Sequence, residues 1–97
     1  MMKKTILAAA LLMSVGGTAF AAAPTAEQKA EFYKVCVGIS SNVELCTCKA
    51  DAAMDLIDER FMGIVIASMK GGSPAEGDYA AYNAYVAKSN QVCKPNY

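Results

Sequence analysis

Ninety-seven residues are enough for one small domain and a targeting segment. Nine basic and nine acidic side chains balance, and the single arginine, Arg60, cannot supply the clustered positive face that nucleic acid requires. No histidine is present, which removes the usual general base near neutral pH, the Ser/His and Cys/His nucleophile pairs and the commonest metal ligand.

The amino terminus reads as a secretory leader. Lys3 and Lys4 form a charged start, Ile6 to Val15 an apolar stretch, and Gly16-Gly17 a break before Ala19-Phe20-Ala21. That order predicts cleavage after Ala21, and the apolar run is too short for a stable bilayer span. A cut after Ala23 would place Pro24 next to the severed bond. Residues 1–21 are therefore expected to be removed, leaving 22–97 as one domain for the periplasm or the exterior, with no membrane span of its own. Those 76 residues carry seven basic against nine acidic side chains, a net charge of −2. So short a domain buries a thin core, and four cysteines in an oxidising compartment read first as its covalent staples.

Thr25-Ala26-Glu27-Gln28 has the form of a capping box and predicts a first helix over 26–37. Phe32, Cys36 and Ile39 group on one side of it, away from Glu27, Glu31 and Lys34. Gly38 is the expected stop, and Asn42 the expected cap of a second helix over 43–57. There Cys46, Ala50, Ala53 and Ile57 form an apolar row beside Leu45, Ala52 and Leu56, while Glu44, Asp51 and Asp55 form the wet side. Cys46 and Cys48 are two residues apart, so their sulfurs leave the helix ~200° apart around its axis. They are not expected to bond each other, and each is free to reach a different segment. The geometry favours Cys36 with Cys46 and Cys48 with Cys93, but the swapped pairing, Cys36 with Cys48 and Cys46 with Cys93, stays open.

Asp58 is placed to cap a third helix over 59–70, closed by Gly71-Gly72. Phe61, Met62, Ile64, Val65, Ile66 and Met69 leave it almost no polar side, the pattern of a buried helix or one that meets a partner. Ile64-Val65-Ile66 also suits a strand, but nothing else in the mature chain offers a pairing edge. Ser73-Pro74-Ala75-Glu76 resembles a helix start, weakened by Gly77, so the regular part of the fourth helix is expected from Asp78. On it Tyr79, Tyr82, Val86 and Cys93 share a sector, with Tyr85 and Ser89 at its edge. Lys94 to Tyr97 should fray.

The predicted fold is thus all-α, about four short helices with two disulfides. A bond from Cys93 to the start of the second helix excludes a regular up-down bundle, which would leave Cys93 at the far end. The third helix is expected to cross the foot of the domain so that the fourth climbs back to the cysteines.

No cofactor and no catalytic group is expected. Asp51, Asp55, Asp58 and Glu59 read as a solvated face without calcium-loop spacing. The pattern C-x9-C-x-C-x44-C lacks zinc knuckles, and Met54, Met62 and Met69 at helical spacing read as core filler rather than copper ligands. The competing class is thiol-redox or metal handling through Cys46 and Cys48, since a cysteine near a helix start is easily ionised. The nine-residue gap also resembles that of helical-hairpin proteins of the mitochondrial intermembrane space, but those need a second such pair. The stretch from Phe32 to Lys70, with Tyr33-x-x-Cys36 ahead of Cys46-x-Cys48, an alanine-rich helix and a closing Met69-Lys70-Gly71-Gly72, resembles small uncharacterised secreted proteins of Gram-negative bacteria. That resemblance implies export and a helical disulfide scaffold, and it brings no activity. The expected role is a non-enzymatic periplasmic binding or structural protein whose partner is another protein. The expected contact residues are Phe61, Ile64 and Val65 on the third helix and Tyr79, Tyr82 and Tyr85 on the fourth.

Overall fold

A computed structural model describes residues 22–94. The expected leader and the last three residues lie outside that range. Among the described residues there are four α-helices and no strand: α1 (Ala26–Ser40), α2 (Val43–Leu56), α3 (Glu59–Met69) and α4 (Tyr79–Val92), with a 3-10 turn at Glu76–Asp78 leading into α4.

Each of the first three helices opens on the cap its sequence offers. Thr25 Oγ1 accepts from the Gln28 amide and Gln28 Oε1 accepts from the Thr25 amide, both at 3.0 Å, which completes the capping box. Asn42 and Asp58 accept from the Leu45 and Phe61 amides at 3.0 and 2.8 Å. At the other end of α3, Gly71 takes a positive φ of 105°, and the Gly72 amide donates to the Ala67 carbonyl at 3.0 Å. This is the reversal that favours glycine in both places, since a Cβ on Gly72 would stand 3.0 Å from that same oxygen.

Two expected boundaries differ. Gly38 does not stop α1; the helix runs on to Ser40, and Ser41 takes the left-handed turn at φ 57°. The Ser40 hydroxyl donates to the Cys36 carbonyl at 3.1 Å, and the disulfide from Cys36 anchors the last turn, which together outweigh the ~1 kcal/mol that glycine costs inside a helix. Ser73 does not cap α4, and Ala75 precedes the 3-10 turn without any side-chain cap. Gly77 sits in that turn, and the α-helix proper begins only at Tyr79.

Cys36 bonds Cys46 and Cys48 bonds Cys93, with Cα separations of 5.7 and 5.8 Å. The first bond closes the α1–α2 hairpin and the second ties the end of α4 to the start of α2. Ala50 and Ala53, both buried, keep α2 slim where its neighbours approach. At the opposite end, the foot, the Gln28 amide group donates to the Glu59 carbonyl at 3.0 Å and the Glu59 amide donates to the Ala22 carbonyl at 2.8 Å. Thus α3 starts level with the start of α1. Its other end pairs Lys70 with Glu31, only one turn further up α1, although eleven residues of helix span ~16 Å. The third helix therefore lies across the lower half of α1 rather than alongside it.

Arg60 and Asp78, 3.0 Å apart, hold the start of α4 at the foot. From there α4 climbs antiparallel to α2, and Lys49 Nζ donates to Asn90 Oδ1 at 2.6 Å just below the second disulfide. The crossing path and the climbing fourth helix are as the cysteine spacing predicts. Phe32 from α1, Cys46, Ala50 and Ala53 from α2, Phe61, Met62, Val65 and Ile66 from α3, and Tyr85 from α4 form the core.

Candidate functional site

The residues expected to form a partner surface do not form one. Phe61, Val65 and Tyr85 are buried in the core, Ile64 and Tyr82 are half-buried, and only Tyr79, at 45 % exposure, stands out from the domain. The physical cause is the crossing of α3. Lying across α1 with α4 rising past it, the helix is covered on more than one side, so its apolar residues are spent on the interior.

What the crossing leaves is a pocket. The crossing of α3 leaves a gap beside α1 that α4 closes only in part. The hollow has a volume of about 200 Å³. Phe32, Cys36 and Ile39 of α1 form one wall, Val65 and Met69 of α3 the second, and Tyr82, Tyr85 and Val86 of α4 the third. Ile39, expected inside with Phe32 and Cys36, is instead 64 % exposed at the rim, because α1 continues past the end of α3. The first disulfide thus forms part of the pocket lining through Cys36.

Besides the Tyr82 and Tyr85 hydroxyls, three polar groups line this apolar space. Ser40 is already committed: its hydroxyl donates to the Cys36 carbonyl and accepts from the Asn42 amide at 3.1 Å. Ser89 is not. Only 1 % of it is exposed, and its Oγ has no hydrogen-bond partner, the sole buried side-chain oxygen or nitrogen in that state among the described residues. The Tyr85 hydroxyl lies near enough to Ser89 to influence its own ionisation, but their geometry falls short of a hydrogen bond. Burial pushes the Tyr85 phenol up to about 12, softened by Ser89 and reinforced by Tyr82, so the group is a neutral donor at physiological pH. The third polar group is Lys49, whose ammonium burial pushes below the ordinary lysine range. It is the one charged residue of the lining, and among the described residues no carboxylate lies within salt-bridge distance of it.

Neither Lys49 nor the role of Ser89 is anticipated from the sequence. The signal for Lys49 is present nonetheless: on a helical wheel it falls ~40° from Ala53 and far from Glu44, Asp51 and Asp55, on the apolar side of α2.

All four cysteines are consumed in the two disulfides, and no free thiol is left. Among the described residues no group of three or more His, Cys, Asp or Glu side chains is placed to hold a metal ion, and no helix is long and apolar enough to cross a membrane. The fold and site define a small all-α, disulfide-stapled domain with an apolar pocket between its helices. Comparison with known protein families, curated proteins and solved structures finds no match to this chain.

Proposed function

We propose that this chain is a small exported, non-enzymatic binding protein whose site is the pocket between α1, α3 and α4. The observation that carries this reading is the apolar hollow of about 200 Å³ with an unpartnered hydroxyl buried in its wall. A concave, mostly apolar space with few polar groups is the usual form of a small-molecule site. An apolar cavity near 150 Å³ accepts one benzene ring, so the guest here is a ring with a short arm or a short chain. The leader-like amino terminus and the pairing of every cysteine support export to the periplasm or exterior, in keeping with the resemblance to secreted proteins of Gram-negative bacteria. The thiol-redox alternative is disfavoured because Cys46 and Cys48 are bonded to different helices and have no common exchange partner.

A protein partner is the second reading, and a different surface favours it. Ile39, Val43 and Val92 are all more than half exposed at the disulfide end of the domain.

The test uses protein purified from the periplasm without reductant. Thiol titration should find no free thiol, and toluene or indole should raise the thermal midpoint in a concentration-dependent way. Val86→Phe, which fills the half-buried wall, should abolish that rise while leaving the unliganded midpoint nearly unchanged. If neither compound shifts the midpoint at millimolar concentration, the pocket is not a binding site.

A further inference from the structure

We infer that the pocket selects an anionic guest, a small monocarboxylate carrying one ring or a short apolar chain, with its head group at Lys49. The inference rests on the pocket being a binding site and adds the charge of what it holds.

The walls select for shape and apolar surface and say nothing of a head group. The rim does. Lys49 is the only charged residue of the lining, and among the described residues no carboxylate lies within salt-bridge distance of it. The α2 carboxylates are on the far face, and the Lys29 to Asp51 pair, at 2.6 Å, draws one of them toward α1 instead. Lys49 Nζ gives one hydrogen bond to Asn90 Oδ1, which orients the ammonium and leaves two of its three protons for a guest. Its partial burial strips water from the charge, and an arriving carboxylate would repay that loss with a charge-assisted hydrogen bond. Ser89 lines the hollow one residue before Asn90 on α4, with its Oγ buried in the wall. A carboxylate has two oxygens, and the two remaining protons of the Lys49 ammonium can serve both. An ammonium guest would meet like charge, and a neutral alcohol would leave the lysine uncompensated.

The experiment compares probes of one shape and different head groups: phenylacetate, 2-phenylethanol and phenethylamine, with toluene as the headless control, titrated calorimetrically into the processed, oxidised protein at neutral pH. Phenylacetate should bind at least tenfold tighter than the alcohol, and the amine should be the weakest. Lys49→Met, which keeps the apolar stem, should reduce the phenylacetate affinity tenfold or more while leaving toluene unaffected, and Lys49→Arg should restore part of it. A rise in salt should weaken phenylacetate and not toluene. If toluene binds but the alcohol or the amine matches phenylacetate, or if Lys49→Met leaves phenylacetate unchanged, the anionic preference is wrong and the apolar pocket stands. If none of the four binds, both fall.

Discussion

Tyr85 and Lys49 border the same pocket, and burial moves their titrations in opposite directions. An unfolded tyrosine ionises near pH 10, whereas Tyr85 in the fold does so at about 12. The unfolded chain therefore loses this proton first, and the contribution of the buried phenol is full below about pH 10 and declines as pH rises toward 12. Lys49 has the reverse slope. Its folded form loses a proton before the unfolded form does, so the cost of burying its charge at neutral pH is relieved as pH rises toward the usual lysine range. A Tyr85→Phe variant separates the two, because it keeps Lys49. Between about pH 9 and about pH 11 the urea midpoint of the parent should fall more steeply than that of Tyr85→Phe; parallel curves would show that the phenol is not desolvated in the fold.

Among the elements, α4 shows most clearly what the sequence reveals and what it conceals. Its composition marks a helix, and the wheel groups Tyr79, Tyr82, Val86 and Cys93 in one sector with Tyr85 and Ser89 at its edge. The fold turns the helix toward that edge: Tyr85, Ser89 and Cys93 are buried, Tyr82 and Val86 half-buried and Tyr79 exposed. The rotation follows from what packs against the helix, which the helix's own pattern does not encode. The end of α1 teaches the same lesson: Gly38 predicts a stop, and a tertiary bond at Cys36 overrides it. Caps made by local side chains, at Thr25, Asn42 and Asp58, are legible because both partners lie within four residues. Along α3 the apolar pattern alone cannot rank Ile64 against Val65, and burial does, at half-buried against 3 % exposed. Val65→Asp should lower stability by roughly 3 kcal/mol or more and leave the domain largely unfolded, because it places an unpaired carboxylate in the core. Ile64→Asp should cost visibly less in the same urea titration. Equal and small losses would mean that α3 is an outer face.

At the scale of the molecule, the path of α3 is legible because it follows from an impossibility: a regular bundle leaves Cys93 ~20 Å from its partner, so one helix must cross. The pocket is not legible, since it arises from the crossing angle and from gaps that no residue pattern encodes. The two staples differ in reach, closing segments of 10 and 45 residues, which in the chain-entropy account correspond to ~3 and ~4 kcal/mol. They differ also in time. In order of export Cys36, Cys46 and Cys48 emerge close together, while Cys93 follows Cys48 by 45 residues. During that interval three thiols share one correct bond, and Cys48 is left as an attacker that can reopen it. The expected order of oxidation is therefore hairpin first and closure last, with a window for misdirected pairing between them. Refolding of the reduced chain, quenched by alkylation, should accumulate a species bonded Cys36 to Cys46 before any bond to Cys93 appears. A disulfide isomerase should shorten the delay. If Cys48 and Cys93 pair first, the helices dock before either bond forms, and the staples record the fold rather than direct it.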